Sequence, residues 1–103
     1  MNFDEYQAVS KRTFPPDLRD LDRLVFGLGL CGEAGEVAEL LKKHHGHGKA
    51  LDLTRLGEEL GDVLWYVAAI ASAHGLDLRG IAAWNVEKLR ARYPKGFTKG
   101  EKD

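Results

Sequence analysis

Four carboxylates stand out by type and spacing: Glu33 and Glu36, three residues apart, then Glu59 and Asp62, again three apart. Residues at i and i+3 share one helix face, so each pair can aim two carboxylates at one point. Carboxylates brought together repel unless a cation neutralises them. Hard oxygen donors suit Mg2+ or Mn2+, and magnesium usually keeps waters and substrate phosphates beside a few protein carboxylates. Such a cation neutralises phosphate charge and lowers the pKa of a bound water. The competing explanation is a solvated helix face with lysine partners, which accounts for most single glutamates on surface helices. It fits less well here, because Glu36 precedes Val37-Ala38 and Asp62 precedes Val63-Leu64-Trp65. Redox di-iron bundles want a Glu three residues before a His on two helices. No histidine of this chain has one.

Helical periodicity dominates the elements that must position these acids, and strand-like alternation is absent. A first short helix is predicted from about Phe3 to Thr13, ended by Pro15 and Pro16. A second is predicted from an Asp20 N-cap to about His44, broken by Gly46-His47-Gly48. Thr54 is the expected cap of a third, stopped by Gly75, and Asp77 of a fourth, from Leu78 to Arg92. The short connection after the second helix makes it an antiparallel neighbour of the third. At roughly 1.5 Å per residue the two acid pairs then lie about one turn apart in level, so all four can face each other. Gly29, Gly32 and Gly35 each cost about 1 kcal/mol in a helix interior. They imply close approach of a backbone or ligand, or tight helix packing alone.

The run Val63 to Ala71 is apolar on every side, and a helix apolar all round is buried all round. Four helices of one small chain enclose it with difficulty. The expectation is a homo-oligomer, most simply a two-fold dimer, whose interface covers the third helix.

The chain has 103 residues, 30% charged and 44% hydrophobic, with a net charge of −1. It reads as one small soluble all-α domain of four to five helices over 1–97, followed by a polar tail, 98–103. The charge balance argues against a dedicated nucleic-acid binder. No apolar run approaches the roughly 20 residues of a membrane span. An N-terminus with Asp4 and Glu5 lacks the apolar core of a signal peptide, so the expected location is cytoplasmic. Cys31, the lone cysteine, is expected in the core. His44, His45 and His47 look like metal ligands, but a solvated helix end beside the negative dipole pole explains them better. Phe14, Phe26, Trp65 and Trp84 could stack on a nucleobase, with core or interface packing the stronger reading for each.

Gly32-Glu33-Ala34-Gly35-Glu36-Val37-Ala38-Glu39, followed by Glu58-Glu59-Leu60-Gly61-Asp62-Val63-Leu64, resembles the MazG-like all-α nucleoside triphosphate pyrophosphohydrolases. Their signature is ExxE, a spacer and ExxD, met here with 22 intervening residues. The run from Asn85 to Phe97, and the opening Glu5-Tyr6-Gln7 with Thr13, extend the similarity over nearly the whole chain. The resemblance implies a helical core completed by dimers or tetramers. It implies Mg2+-dependent attack of water at the α-phosphorus of a (d)NTP, releasing pyrophosphate. Glu33, Glu36, Glu59 and Asp62 match the metal quartet, with Glu36 favoured to orient or deprotonate water. Tyr66, Asn85 and Lys88 match phosphate-reaching positions, with Arg92 a further candidate. The residues agree, since a triphosphate needs cations beyond the metal and Lys88, Arg90, Arg92 and Lys95 supply them. Two alternatives stand: a helical oligomerisation or regulatory module without turnover, and a pyrophosphatase acting on a phosphoribosyl-ATP-like substrate.

Overall fold

Local signals set the helix boundaries in the computed structural model, which describes residues 1–97. The polar tail predicted for 98–103 lies outside them. Helix α1, Phe3–Ser10, begins with a capping box: Asn2 Oδ1 accepts from the Glu5 amide at 2.9 Å, and Glu5 Oε1 accepts from the Asn2 amide at 3.2 Å. The predicted helix to Thr13 divides here, with Lys11–Thr13 as a 3-10 turn. The Ser10 hydroxyl donates to the Gln7 carbonyl and the Thr13 hydroxyl to that of Ser10, tightening the chain before Pro15.

Helix α2, Asp20–His47, starts one residue earlier than an Asp20 cap would allow. The Asp22 carboxylate accepts the Arg19 amide at 2.9 Å, so Asp20 is already helical. It also runs three residues beyond His44, because Gly46 is carried within the helix. Termination waits for Gly48, which adopts φ 69° while Lys49 N–H donates to the Lys43 carbonyl. Helix α3, Leu53–Ala73, is capped by Asp52, whose carboxylate accepts the Arg55 amide at 3.1 Å. Thr54 therefore sits inside the helix. Gly75, at φ 70°, closes α3, and Asp77 caps helix α4, Leu78–Arg92, as predicted. No strand is present among the described residues.

The antiparallel α2–α3 pair is the most extensive helix contact, with α1 and α4 packed on α3. The core sits at the end distant from the α2–α3 loop. Phe26 of α2, Phe14 of the entry loop and Trp65 of α3 meet with ring centroids 5.5–5.7 Å apart. Trp65 Nε1 donates to the Thr13 hydroxyl at 2.8 Å. Three of the four aromatics considered as base-stacking groups are thus packing groups, while Trp84 faces solvent.

The apolar run of α3 is covered only in part by this chain, and the expectation of a core Cys31 is corrected. Along the apolar run of α3, Ala68 and Ala69 are fully buried and Ala71 and Ala73 nearly so, while Val63, Trp65, Tyr66, Val67 and Ile70 are half-buried and Leu64 is exposed. The neighbouring helices close over the small side chains of this stretch and leave the larger ones partly open. A further uncovered apolar stripe lies on α2, where Leu21, Leu24, Val25 and Leu28 are 51–62% exposed. Cys31 is exposed too, because it lies on this outward side of α2.

Gln7 of α1 is the main polar tie. Its Nε2 donates to Ser72 Oγ at 2.9 Å and to the Leu76 carbonyl at 2.8 Å. Its Oε1 accepts the buried Leu78 amide at 2.8 Å. One side chain thus satisfies both sides of the α3–α4 turn, where helix ends leave orphan backbone groups.

Candidate metal and active site

Antiparallel packing brings one stripe of α2 against one stripe of α3. The α2 stripe is Gly29, Glu33 and Glu36; the α3 stripe is Arg55, Glu59, Asp62 and Tyr66, at spacings of three and four. At one end the Tyr66 ring occupies the space that a side chain at position 29 would fill, so Gly29 answers tight side-chain packing. Gly32 and Gly35 face open space, with neither backbone nor side chain against them.

In the middle of the stripe Glu33, Glu59 and Asp62 place carboxylate oxygens within 4.8 Å of one another. Glu33 and Glu59 are half-buried and Asp62 is exposed. Glu36 stands at the edge of this triad and faces Arg55, with Nη2 and Oε2 3.9 Å apart. The crowding bears most on Glu33. A hydrogen bond with Glu59, then burial, then the charges of Asp62, Glu59 and Glu36 push the Glu33 carboxyl from its ordinary 4.5 up to about 7. The shared hydrogen bond with Glu59 and the neighbouring negative charges thus favour the protonated form of Glu33. Three hard oxygen donors with uncompensated charge fit a small divalent cation. The histidines of α2 do not form such a group among the described residues; His44 Nδ1 donates to the Lys49 carbonyl at 2.6 Å, as a helix-end residue.

A carboxyl whose pKa is raised by folding favours the fold while protonated. That contribution is complete below 4.5 and is lost as pH rises through about 7. The metal-free chain is therefore expected to melt at a lower temperature at about pH 8 than at about pH 5.5. Glu33→Gln is expected to flatten this trend, and a divalent cation to offset it by taking the proton's place. Identical pH trends for wild type and Glu33→Gln in thermal melts would contradict the assignment.

The remaining predicted residues are distributed unevenly. Tyr66 is half-buried, one turn beyond Asp62 on the same face. Asn85, Lys88 and Arg92 are exposed on α4, which packs on α1 and α3. Lys88 and Arg92 line a shallow cleft with Trp84, Glu87 and Ala91, so the single chain does not bring them to the triad. Two neighbours of the acids were not anticipated. Tyr6 of α1 lies near Asp62: burial first, and then the Asp62 charge, hold its phenol above the ordinary value of 10.0. Arg55 pairs with Glu36, and its place one turn before Glu59 was the available signal.

The chain matches the family model of the MazG nucleotide pyrophosphohydrolase domain over residues 24–97, which hold all four acids and α4. It is similar to the Gene 37 protein of Mycobacterium phage L5, 36% identical over 112 aligned positions that cover 100% of this chain and 98% of that protein. No solved structure matches it. A four-helix chain with a carboxylate triad at the α2–α3 contact and this match over most of its length belongs to the MazG nucleotide pyrophosphohydrolase domain family.

Proposed function

We propose that this chain is a Mg2+-dependent hydrolase of nucleoside triphosphates, acting at the α-phosphorus to give the monophosphate and pyrophosphate. The observation that carries the reading is the convergence of Glu33, Glu59 and Asp62, whose carboxylate oxygens lie within 4.8 Å of one another. Mg2+, or Mn2+ in its place, supplies charge neutralisation on phosphate and a more acidic water when bound. Glu33, Glu59 and Asp62 hold it, and Glu36 completes the donor set and orients the attacking water. Tyr66 offers its hydroxyl to a phosphate oxygen. Asn85 donates a hydrogen bond, and Lys88 and Arg92 offset the remaining phosphate charge.

The working unit is a homo-oligomer. Leu21, Leu24, Val25 and Leu28 form an exposed apolar stripe, and Gly32 and Gly35 continue that face of α2 without side chains. The core within one chain is small, centred on Phe26, Ala69 and Ala73. A second copy over this face removes the apolar surface from water. It also accounts for cations on α4 that stand apart from the triad in one chain. Light scattering is expected to give a dimer or tetramer mass; a stable monomer would contradict this part.

The activity is tested by incubating purified protein with a (d)NTP panel and Mg2+, with products identified. Monophosphate and pyrophosphate are expected for at least one nucleotide. Orthophosphate release would exclude attack at the α-phosphorus. Inactivity on the panel with turnover of a phosphoribosyl-ATP-like compound would move the substrate. Inactivity on all of them, with Mg2+ and Mn2+, would leave a non-catalytic helical module.

A further inference from the structure

Arg55 is the cation that the described ion pairs set against the four acids. It lies in the first turn of α3, where its own amide is fixed by Asp52, so the start of its side chain is anchored. From there it crosses to Glu36 of α2, which stands outside the triad. The separation of 3.9 Å exceeds hydrogen-bond length, and the two side chains are 56% and 54% exposed. A pair this long and this wet is weakly held. Its alternative partners are close: Arg55 is one turn from Glu59 on the stripe that carries Asp62, and Glu36 is one turn from Glu33.

We infer that Arg55 is an exchangeable counter-ion, which neutralises Glu36 in the metal-free chain and transfers to substrate phosphate when a divalent cation recruits Glu36. This rests on the reading of the triad as a divalent-cation and phosphate site. The charge balance supports an exchange in this direction. Arg55 offsets only one of the four acids, which leaves negative charge for a divalent cation to neutralise. A divalent cation reduces the demand for Arg55, and an incoming di- or triphosphate restores it. Guanidinium is suited to the second role, because its planar set of N–H donors matches two phosphate oxygens at once. A lysine at this position supplies charge without that fork. Arg55 is therefore a phosphate-binding residue additional to those on α4, and it comes from the same α2–α3 pair that holds the acids.

The test measures two affinities that the exchange moves in opposite directions, neither of them turnover. Mn2+ binding to the protein without nucleotide is followed by electron paramagnetic resonance for wild type, Arg55→Gln and Arg55→Lys. Arg55→Gln is expected to bind Mn2+ about two- to fivefold more tightly, since the competing cation is gone. Binding of pyrophosphate in saturating Mg2+ is followed by calorimetry. There Arg55→Gln is expected to be weaker by about tenfold, and Arg55→Lys to recover only part of the loss. Weaker Mn2+ binding by Arg55→Gln would assign Arg55 a structural part and overturn the exchange. Unchanged pyrophosphate affinity would overturn it as well. Both expected shifts in Arg55→Gln, with a wild type that binds Mn2+ and pyrophosphate but hydrolyses no nucleotide, would refute the proposed reaction and leave the exchange standing. A wild type that binds no Mn2+ would overturn both.

Discussion

Glu59→Gln and Asp62→Asn are each expected to lower kcat for a nucleoside triphosphate by about three orders of magnitude. The two side chains supply two of the three oxygens that meet within 4.8 Å. Bound metal of this kind contributes several kcal/mol to the transition state, and about 4 kcal/mol corresponds to roughly a thousandfold in rate. Each change keeps side-chain volume and removes charge from a crowded site, so stability should hold or rise in metal-free buffer. That contrast is the useful signature: a purely structural acid would lose stability and activity together. Glu36→Gln is likewise expected to abolish turnover with the fold retained, because Glu36 is the acid left to orient water. Steady-state kinetics beside thermal melts decide the matter. Activity within about tenfold of wild type for Glu59→Gln or Asp62→Asn would remove the triad from the mechanism.

The second large effect concerns stability. Gln7→Leu is expected to cost about 3 kcal/mol, from an orphaned buried Leu78 amide and two further lost bonds to Ser72 and Leu76. For a domain of this size that corresponds to a fall of roughly 15 °C in Tm. The comparison must be made at fixed protein concentration, because association also shifts Tm. A fall of less than about 3 °C would show that the α3–α4 turn does not depend on this tie. Gln7 is polar and nearly fully buried, so its substitution removes partners that no water replaces.

The acid pairs were readable because each depends on spacing within a single helix. Glu33 and Glu36, and Glu59 and Asp62, needed only the i, i+3 relation and a short loop to be placed opposite each other. The ends marked by Pro15-Pro16, Gly75 and Asp77 were readable for a similar reason, since backbone chemistry acts locally. The α3 cap was misplaced from Asp52 to Thr54 because both residue types cap helices, and two positions separate them. What crosses between helices was less legible. That the Tyr66 ring lies over Gly29 depends on the register of α2 against α3, which no local pattern encodes. The same holds for Glu36 turning to Arg55 instead of joining the triad. Burial of the apolar helix was legible only in part: the alanines at 68, 69, 71 and 73 are covered within this chain, while the larger side chains of α3 stay half-open and Leu21, Leu24, Val25 and Leu28 of α2 stand uncovered. Tyr6 and Gln7 illustrate the same limit. Their sequence neighbourhood marks them as a pattern, while their roles, beside Asp62 and under the α3–α4 turn, come from contacts over 50 residues away.

The central claim is that these carboxylates direct water to the α-phosphorus. Turnover of a nucleoside triphosphate in 18O-labelled water, with both products analysed by mass spectrometry, tests it most directly. The account predicts the label in the nucleoside monophosphate, with unlabelled pyrophosphate. Label in the pyrophosphate, or in released orthophosphate, would contradict it.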